Sequence, residues 1–191
     1  YPLDGNASDM SGNENHGTIR NSPSFIFTDD RSYIQFQGFG SDSDAGDHIL
    51  LPYEIFSDLN EITISLWVNF NSSTHHLGHR ATIFSVGDYN SGGIFIDAGG
   101  DNPVSQINNI LVETINHWTH VSYKIGNGNA MGFINGQLSS SIKSSFPKIT
   151  HQKSGLGASW WGGSGQHITS RMNGSLDDVR IYDRALSASE V

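Results

Sequence analysis

The sequence predicts an all-β chain that folds as an antiparallel two-sheet β-sandwich. Short stretches rich in β-branched and aromatic residues recur along its 191 residues, and turns rich in glycine and asparagine separate them. About a dozen short strands without a long helix bury their apolar faces by packing two sheets against each other. The length suits one domain, 1–191, because a chain of this size buries roughly 70% of the surface of its unfolded state.

The predicted strands are spread along the whole chain. In the clearest, 61–70, apolar residues occupy every second position from Ile62 to Phe70, and Trp67 lies on the opposite face. Asn135-Gly136 is a strong hairpin signal. The predicted strands are 18–26, 32–36, 49–51, 61–70, 81–86, 92–98, 107–113, 118–125, 130–134, 137–141, 154–159, 168–172 and 176–182, with short helical turns at 52–59 and 187–190.

The composition excludes several classes of site. The chain has no cysteine, which rules out disulfides, thiolate metal sites and cysteine nucleophiles. Its formal charge of −9 leaves no basic stripe for a nucleic acid. The sequence contains neither a signal peptide nor a membrane-spanning segment.

Because the chain begins without Met and stops in its closing turn, we expect a monomeric module excised from a larger secreted protein, with an extracellular or cell-surface location.

Oxygen-bearing side chains cluster at both ends of the chain. Segment 3–17 combines Asn, Asp and Ser with three glycines, which are the donors and turns that Ca²⁺ prefers. It is not an EF-hand, because the bidentate Glu and the flanking helices are missing. In the last strand, Asp177 and Asp178 point to opposite faces. Composition alone leaves two interpretations of the opening segment, a solvated loop or a calcium site.

These end segments resemble those of bacterial laminin-G-like, concanavalin A-like jelly-roll domains. In the opening segment the matching residues are Asn6, Asp9, Ser11, Gly12, Asn15, His16 and Gly17. In the closing segment they are Gly174, Leu176, Asp177, Asp178, Val179, Arg180, Ile181, Tyr182, Arg184, Ala185, Leu186 and Ser187. Segments 62–68, 118–121 and 133–138 resemble the central strands of that family, so the resemblance covers nearly the whole chain.

The resemblance implies a jelly roll in which the first and last segments lie side by side. It therefore implies a structural calcium ion, whose ligands would be Asn6, Asp9, Asn15 and Asp177. We expect Asp178 to lie on the other face and to pair with Arg180 or Arg184. A second acidic loop, 42–47, is either a solvated turn or a second cation site.

Two further segments are candidates for ligand binding. Trp160 and Trp161 lie in a glycine-rich loop after the predicted strand 154–159, where exposed aromatic rings would stack on sugars or a peptide. Alternatively, one Trp lies in the core and the other packs the base of the loop. A polar loop contains His75, His76 and His79. This loop is an exposed surface, a ligand contact or a zinc site. Zinc sites need fixed tetrahedral geometry with hydrogen bonds that orient the ligands, and a loop of this composition offers little of either.

The sequence does not predict an enzyme. Glucanases of the jelly-roll scaffold carry their two catalytic carboxylates on one strand, and the five glutamates of this chain are scattered. A nucleophile elbow is also missing. The prediction is therefore a non-catalytic, calcium-stabilised module that binds a carbohydrate, in a polysaccharide-active enzyme or an adhesin. The alternative is a protein-interaction or spacer domain without affinity for sugar.

Overall fold

The computed structural model describes residues 1–38, 46–71, 81–88, 92–98, 116–149, 152–161 and 167–191. Within them it confirms the predicted all-β sandwich. The strands are β1 (Thr18–Arg20), β2 (Ser24–Phe27), β3 (Ser32–Gln37), β4 (His48–Leu50), β5 (Ile62–Phe70), β6 (Ala81–Asp88), β7 (Gly92–Ala98), β8 (Thr119–Gly126), β9 (Asn129–Ile134), β10 (Gln137–Lys143), β11 (Ser154–Leu156), β12 (Ser159–Trp161), β13 (His167–Thr169) and β14 (Asn173–Tyr182). One turn of 3-10 helix, Tyr53–Phe56, follows β4.

The strands form two large antiparallel sheets. One has five strands in the order β1-β4-β11-β6-β7, and the other has seven in the order β10-β9-β8-β5-β14-β3-β2. Strands β12 and β13 pair with each other as a small third sheet. None of the described residues forms a helix of the length and apolarity that crossing a membrane requires.

The core lies between the two large sheets and follows the alternation seen in the sequence. On β5, the side chains of Ile62, Ile64, Leu66 and Val68 are fully buried, whereas Ser65 and Trp67 point away from the core. Burying each such aliphatic side chain stabilises the fold by about 1.5–3 kcal/mol. The rings of Phe56 and Phe84 meet edge to face at 5.8 Å and connect the 3-10 helix to the five-stranded sheet.

The predicted strand 18–26 is in fact two strands that belong to different sheets. β1 pairs with β4 in the five-stranded sheet, whereas β2 pairs with β3 in the seven-stranded sheet. Between them, Asn21 has a φ of 59°, a conformation that Asn tolerates better than most residues, and Pro23 follows. The chain therefore changes sheets at this turn.

The two ends of the chain meet at β14, as the sequence predicted. β14 pairs with β3 from Asn173 to Leu176 and with β5 as far as Tyr182. Asp178 forms a bulge with a φ of 46°, and from there the opening segment takes the place of β3. The Tyr1 nitrogen donates to Val179 O at 2.8 Å, and Val179 N–H donates to Tyr1 O at 2.9 Å.

Trp160 is buried, so the expectation of an exposed loop aromatic is wrong for this position. It lies in β12 with 3% of its surface exposed, and its ring meets that of His48 edge-on at 6.0 Å. A Cβ atom on Gly155 would lie only 2.8 Å from Trp160 Cη2. The missing side chain of Gly155 thus leaves space for the indole against the outer side of the five-stranded sheet.

Candidate ligand-binding site

The outer face of the seven-stranded sheet, away from the core, carries a row of polar and aromatic side chains. Strand register places Trp67 opposite His120 and Ser65 opposite Ser122 on the neighbouring β5 and β8. Side chains at paired positions point to the same side of a sheet. Together with Asn135 from the β9–β10 turn, these residues line a depression of about 540 Å³, which we call the outer-face groove.

The groove holds a hydrogen-bonded pair and one unused hydroxyl. Ser65 Oγ and His120 Nε2 lie 2.8 Å apart. Burial lowers the pKa of His120, so its ring is neutral at neutral pH. Ser122 is fully buried, and its Oγ has no hydrogen-bond partner in the described part of the chain. Because buried hydroxyls are nearly always hydrogen-bonded, this one marks a position at the wall of the groove where a bound water molecule or a ligand would supply the missing partner.

A cation stacked between aromatic rings lies at one side of the groove. The Arg31 guanidinium carbon lies 4.9 Å from the Trp67 ring centre and 4.5 Å from that of Trp118. Tyr33 meets Trp118 edge-on at 5.1 Å. Arg31 Nη1 is also 3.4 Å from Asp177 Oδ2. These contacts hold the side chain of Trp67 in one orientation while leaving part of its surface exposed.

The carboxylates that line the groove are each paired with an arginine. Asp178 accepts two hydrogen bonds from Arg180, at 2.7 and 3.0 Å, which confirms one of the two predicted partners. Glu190 accepts two from Arg184, at 2.7 and 3.2 Å, and one from the Ser187 N–H, as the predicted capping box requires. The hydrogen bond from Arg184 is the main cause that lowers the pKa of Glu190 to about 2.

The opening segment is organised by side chains that accept hydrogen bonds from nearby backbone. Asp9 accepts the N–H of Ser11 at 2.8 Å and that of Asn15 at 3.0 Å, and Asn6 Oδ1 accepts the N–H of Ser8 at 2.8 Å. Although burial acts in the opposite direction, the hydrogen bonds from Ser11 and Asn15 lower the pKa of Asp9. Its ionised carboxylate retains lone pairs that a hard cation could use.

The four predicted calcium ligands do not all meet. Asp177 faces the outer side of the sheet and pairs with Arg31, whereas Asp178 shares a cavity with Asp9. Among the described residues, no three His, Asp or Glu side chains come close enough to hold a metal ion. Asp177 therefore does not fit the predicted set, because the guanidinium already occupies the place of a cation, whereas Asn6, Asp9 and Asn15 stay together in the opening segment.

Several other predicted site residues lie outside the described residues. His75, His76 and His79 are among them, and so is most of the acidic loop 42–47. At the end of that loop, Asp47 accepts the N–H groups of Ser22 at 3.1 Å and Gln37 at 3.2 Å. Trp161 forms the last residue of β12.

Sequence reasoning missed the outer-face groove, although one signal pointed to it. Trp67 was placed on the face of β5 opposite the core, and an outward-facing Trp in the middle of a strand is unusual unless something covers or uses it. The partners of Trp67 could not be recognised because they come from β8 and the β9–β10 turn, and their register with β5 is a property of the folded sheet.

Comparisons with known proteins agree with this architecture. The family model described as "Concanavalin A-like lectin/glucanases superfamily" matches residues 42–191. Domain 4 of AbnA, an extracellular arabinanase from Geobacillus stearothermophilus solved with arabinotriose, superposes with a TM-score of 0.74 at 23% identity, covering 100% of this chain and 93% of that one. No curated protein matches the sequence.

Botulinum neurotoxin binding domains share the fold as well. The serotype G domain superposes with a TM-score of 0.67 at 17% identity. The neurotoxin DC domain, solved with rat synaptotagmin II, superposes with a TM-score of 0.64 at 17% identity. Each comparison covers 96% of this chain and 46% of the toxin chain, so this chain spans about half of those domains. At these identities the likeness concerns the fold.

Proposed function

The chain belongs to the concanavalin A-like lectin/glucanase superfamily, and we propose that within it this chain is a non-catalytic carbohydrate-binding module of a secreted protein. The observation that carries the proposal is the outer-face groove, where the buried Ser122 hydroxyl without a partner lies beside the partly exposed ring of Trp67. Sugar sites combine these two features, an apolar ring face and fixed polar groups around it.

Each side chain of the groove has a distinct part in binding. Trp67 offers its ring to the C–H face of a sugar, and Arg31 keeps that ring in place from one side. The hydroxyls of Ser65 and Ser122, the His120 ring and the Asn135 amide are hydrogen-bonding partners for sugar hydroxyls. Since the carboxylates of the groove are paired with arginines, it favours neutral sugars over acidic ones.

The same charges argue against catalysis in this groove. Glycoside hydrolysis needs a protonated acid together with a second carboxylate. Glu190, with a pKa of about 2, is deprotonated at neutral pH and cannot serve as that acid. The carboxylate of Asp178 is held by both nitrogens of a bidentate Arg180 contact. The described carboxylates of the groove thus hold its shape and do not form an acid–base pair.

Calcium belongs to the proposal as a structural ion of the opening segment. Asp9 supplies an ionised carboxylate there, and Asn6 and Asn15 supply amide and backbone oxygens, which are the ligands that Ca²⁺ prefers. The ion would connect Asn6, Asp9 and Asn15 and so stabilise the conformation of the opening segment. Its expected contribution is to stability, through mass action on the folded state.

Two similar structures guide the choice of probes. The arabinanase domain was solved with arabinotriose, which makes arabino-oligosaccharides the first ligands to test here. A botulinum domain was solved with synaptotagmin II, which supports the alternative of a protein-interaction domain. Extracellular location is part of the same proposal, since the arabinanase is described as extracellular.

The test combines a glycan array with titration calorimetry against arabinotriose and neutral polysaccharides. Trp67→Ala should weaken binding of the best ligand at least about tenfold, a loss of about 1.4 kcal/mol or more. The control is Phe27→Ala, which removes an exposed aromatic ring of β2 outside the groove and should leave affinity unchanged. Equal binding by Trp67→Ala would place the site elsewhere, and no sugar binding at all would favour the protein-interaction alternative.

A further inference from the structure

A second cavity adjoins the outer-face groove on the other side of β14. It measures about 670 Å³ and lies between the second half of β14 and the opening segment, with Asp9, Met10, Asn13 and Asn15 on the side of that segment. The cavity exists because β3 pairs with β14 only as far as Leu176. Beyond this point the opening segment lies beside β14 and holds to it through Tyr1. We call this space the seam cavity.

The groove and the seam cavity have one wall in common. Asp178, Arg180 and Tyr182 line both. Arg180 and Tyr182 lie opposite Ser65 and Thr63 on β5, so their side chains stand on the outer face. The two cavities are thus separated by a row of side chains from a single strand.

The common wall contains an ion pair and carries little net charge. Arg180 Nη2 and Nε donate to the two oxygens of Asp178 at 2.7 and 3.0 Å, a bidentate contact between two partly exposed side chains. Because the two charges neutralise each other, an uncharged ligand can lie across the wall without leaving a buried charge unpaired. The aromatic ring of Tyr182 beside them adds an apolar surface.

The far side of the seam cavity also combines apolar and amide groups. Met10 has 73% of its surface exposed, the highest exposure among the large apolar side chains of the described residues. Asn13 lies in the same turn, with its amide hydrogen-bonded to Ser11 Oγ at 3.0 Å. An apolar face beside a fixed amide is the combination that the groove presents through Trp67 and Asn135.

We propose that the groove and the seam cavity are consecutive parts of one binding cleft, and that the ligand is an internal stretch of a linear neutral polysaccharide rather than a single terminal sugar. This inference rests on the proposed carbohydrate-binding function. In this proposal the polysaccharide lies over Trp67, crosses β14 at Arg180 and Tyr182, and continues past Asn13 and Met10. Each cavity falls within the size range of ordinary ligand pockets, and together they accommodate several sugar units.

The test is a length series in titration calorimetry, from arabinose through arabinotriose to arabino-octaose, together with the equivalent series of the neutral polysaccharide that binds best. Affinity should rise by at least about fivefold beyond the trisaccharide, since longer chains add contacts in the seam cavity. In Met10→Ala/Asn13→Ala this gain should disappear while the affinity for the trisaccharide stays the same. The matched control is Leu138→Ala on the exposed edge strand β10, which should keep the full gain.

The outcomes separate this inference from the proposed function. If affinity stops rising at the trisaccharide and Trp67→Ala abolishes it, the module binds sugar in the groove and the extended cleft is wrong. The cleft is also wrong if the length gain survives in Met10→Ala/Asn13→Ala. If no member of either series binds, the carbohydrate-binding function itself fails, and the cleft with it.

Discussion

Arg31 Nη1 lies 3.4 Å from Asp177 Oδ2 on the outer face of the seven-stranded sheet. The same guanidinium stacks against Trp67 and Trp118, so the ion pair connects the last strand of the chain with the two aromatic rings at the side of the groove. Burial raises the pKa of Asp177, and the charge of Arg31 opposes this shift. Asp177 therefore belongs to the architecture of the groove, and its sequence neighbour Asp178 is the acid that faces the opening segment.

This arrangement predicts which acid mediates the effect of calcium. Adding Ca²⁺ to protein treated with chelator should raise the melting temperature, because an ion that binds the folded state stabilises it by about 2.7 kcal/mol at a hundredfold excess over its Kd. Asp9→Asn should lose most of this increase, since Asp9 is the ionised carboxylate of the proposed calcium site. Asp177→Asn should keep it. Differential scanning calorimetry with and without Ca²⁺ measures the effect.

The matched pair of variants makes the result decisive. Both replace an aspartate by its isosteric amide, so a general effect of charge would appear in both. Loss of the calcium effect in Asp177→Asn but not in Asp9→Asn would contradict the assignment made from the Arg31 ion pair. A melting temperature that does not change with Ca²⁺ in the wild type would exclude a structural calcium ion.

Trp160 should matter for stability and not for binding. Trp160→Ala removes an indole that is 97% buried against Gly155 and His48, and large aromatic truncations of this kind cost about 3–5 kcal/mol. Its affinity for sugar should remain that of the wild type at temperatures where the variant is folded. Urea denaturation and titration calorimetry on the same preparation separate the two effects. Trp67→Ala should show the opposite pattern, and weakened binding by folded Trp160→Ala would refute this assignment.

Thr63 fixes the segment that follows β14. Its Oγ1 donates to Arg184 O at 2.8 Å and accepts the Leu186 N–H at 2.9 Å, and the residue is fully buried. Thr63→Val keeps the shape but leaves the buried Leu186 N–H without its partner and removes the donor to Arg184 O, so it should lower the free energy of unfolding by about 1–3 kcal/mol. Thr63→Ser keeps the hydroxyl and should cost less. If guanidinium denaturation shows a smaller loss for Thr63→Val than for Thr63→Ser, the methyl group contributes more than the hydroxyl, which would contradict this role of the two hydrogen bonds.

The general fold could be predicted from sequence because it depends on local patterns. Alternating apolar residues identified β5, and the Asn135-Gly136 turn identified the β9–β10 hairpin, in which Asn135 and Gly136 both have positive φ. The change of sheets at Asn21 could not be predicted, since nothing in the segment 18–26 says that its two halves pair with different neighbours. The contact between Trp160 and Gly155 could not be predicted either, because it depends on tertiary packing.

The candidate site was predicted less well than the fold, also for a physical reason. No sequence pattern distinguishes Ser65, His120 and Ser122 from other strand residues. They become neighbours only through the register of β5 and β8 in the folded sheet. Asp178 pairs with Arg180 as expected, but it lines the outer-face groove rather than lying on the face away from Asp177, and Asp177, expected to bind a cation, pairs with Arg31. The sequence could not reveal that Arg31, which precedes β3, would reach Asp177, because that contact depends on the order of strands in the sheet.

The pKa of His120 leads to the last prediction, a loss of stability on acidification. Burial lowers this pKa, and the facing charges of Asp178 and Arg180 act in opposite directions. The unfolded state takes up a proton as the pH falls through about 6.5, while the folded state resists it, so the free energy of unfolding should decrease from there until the pH passes the folded pKa. Urea titrations between about pH 8 and pH 5 should show a shallower decrease in His120→Gln than in the wild type. Parallel curves would mean that His120 titrates alike in both states, contrary to its half-buried position beside Ser65.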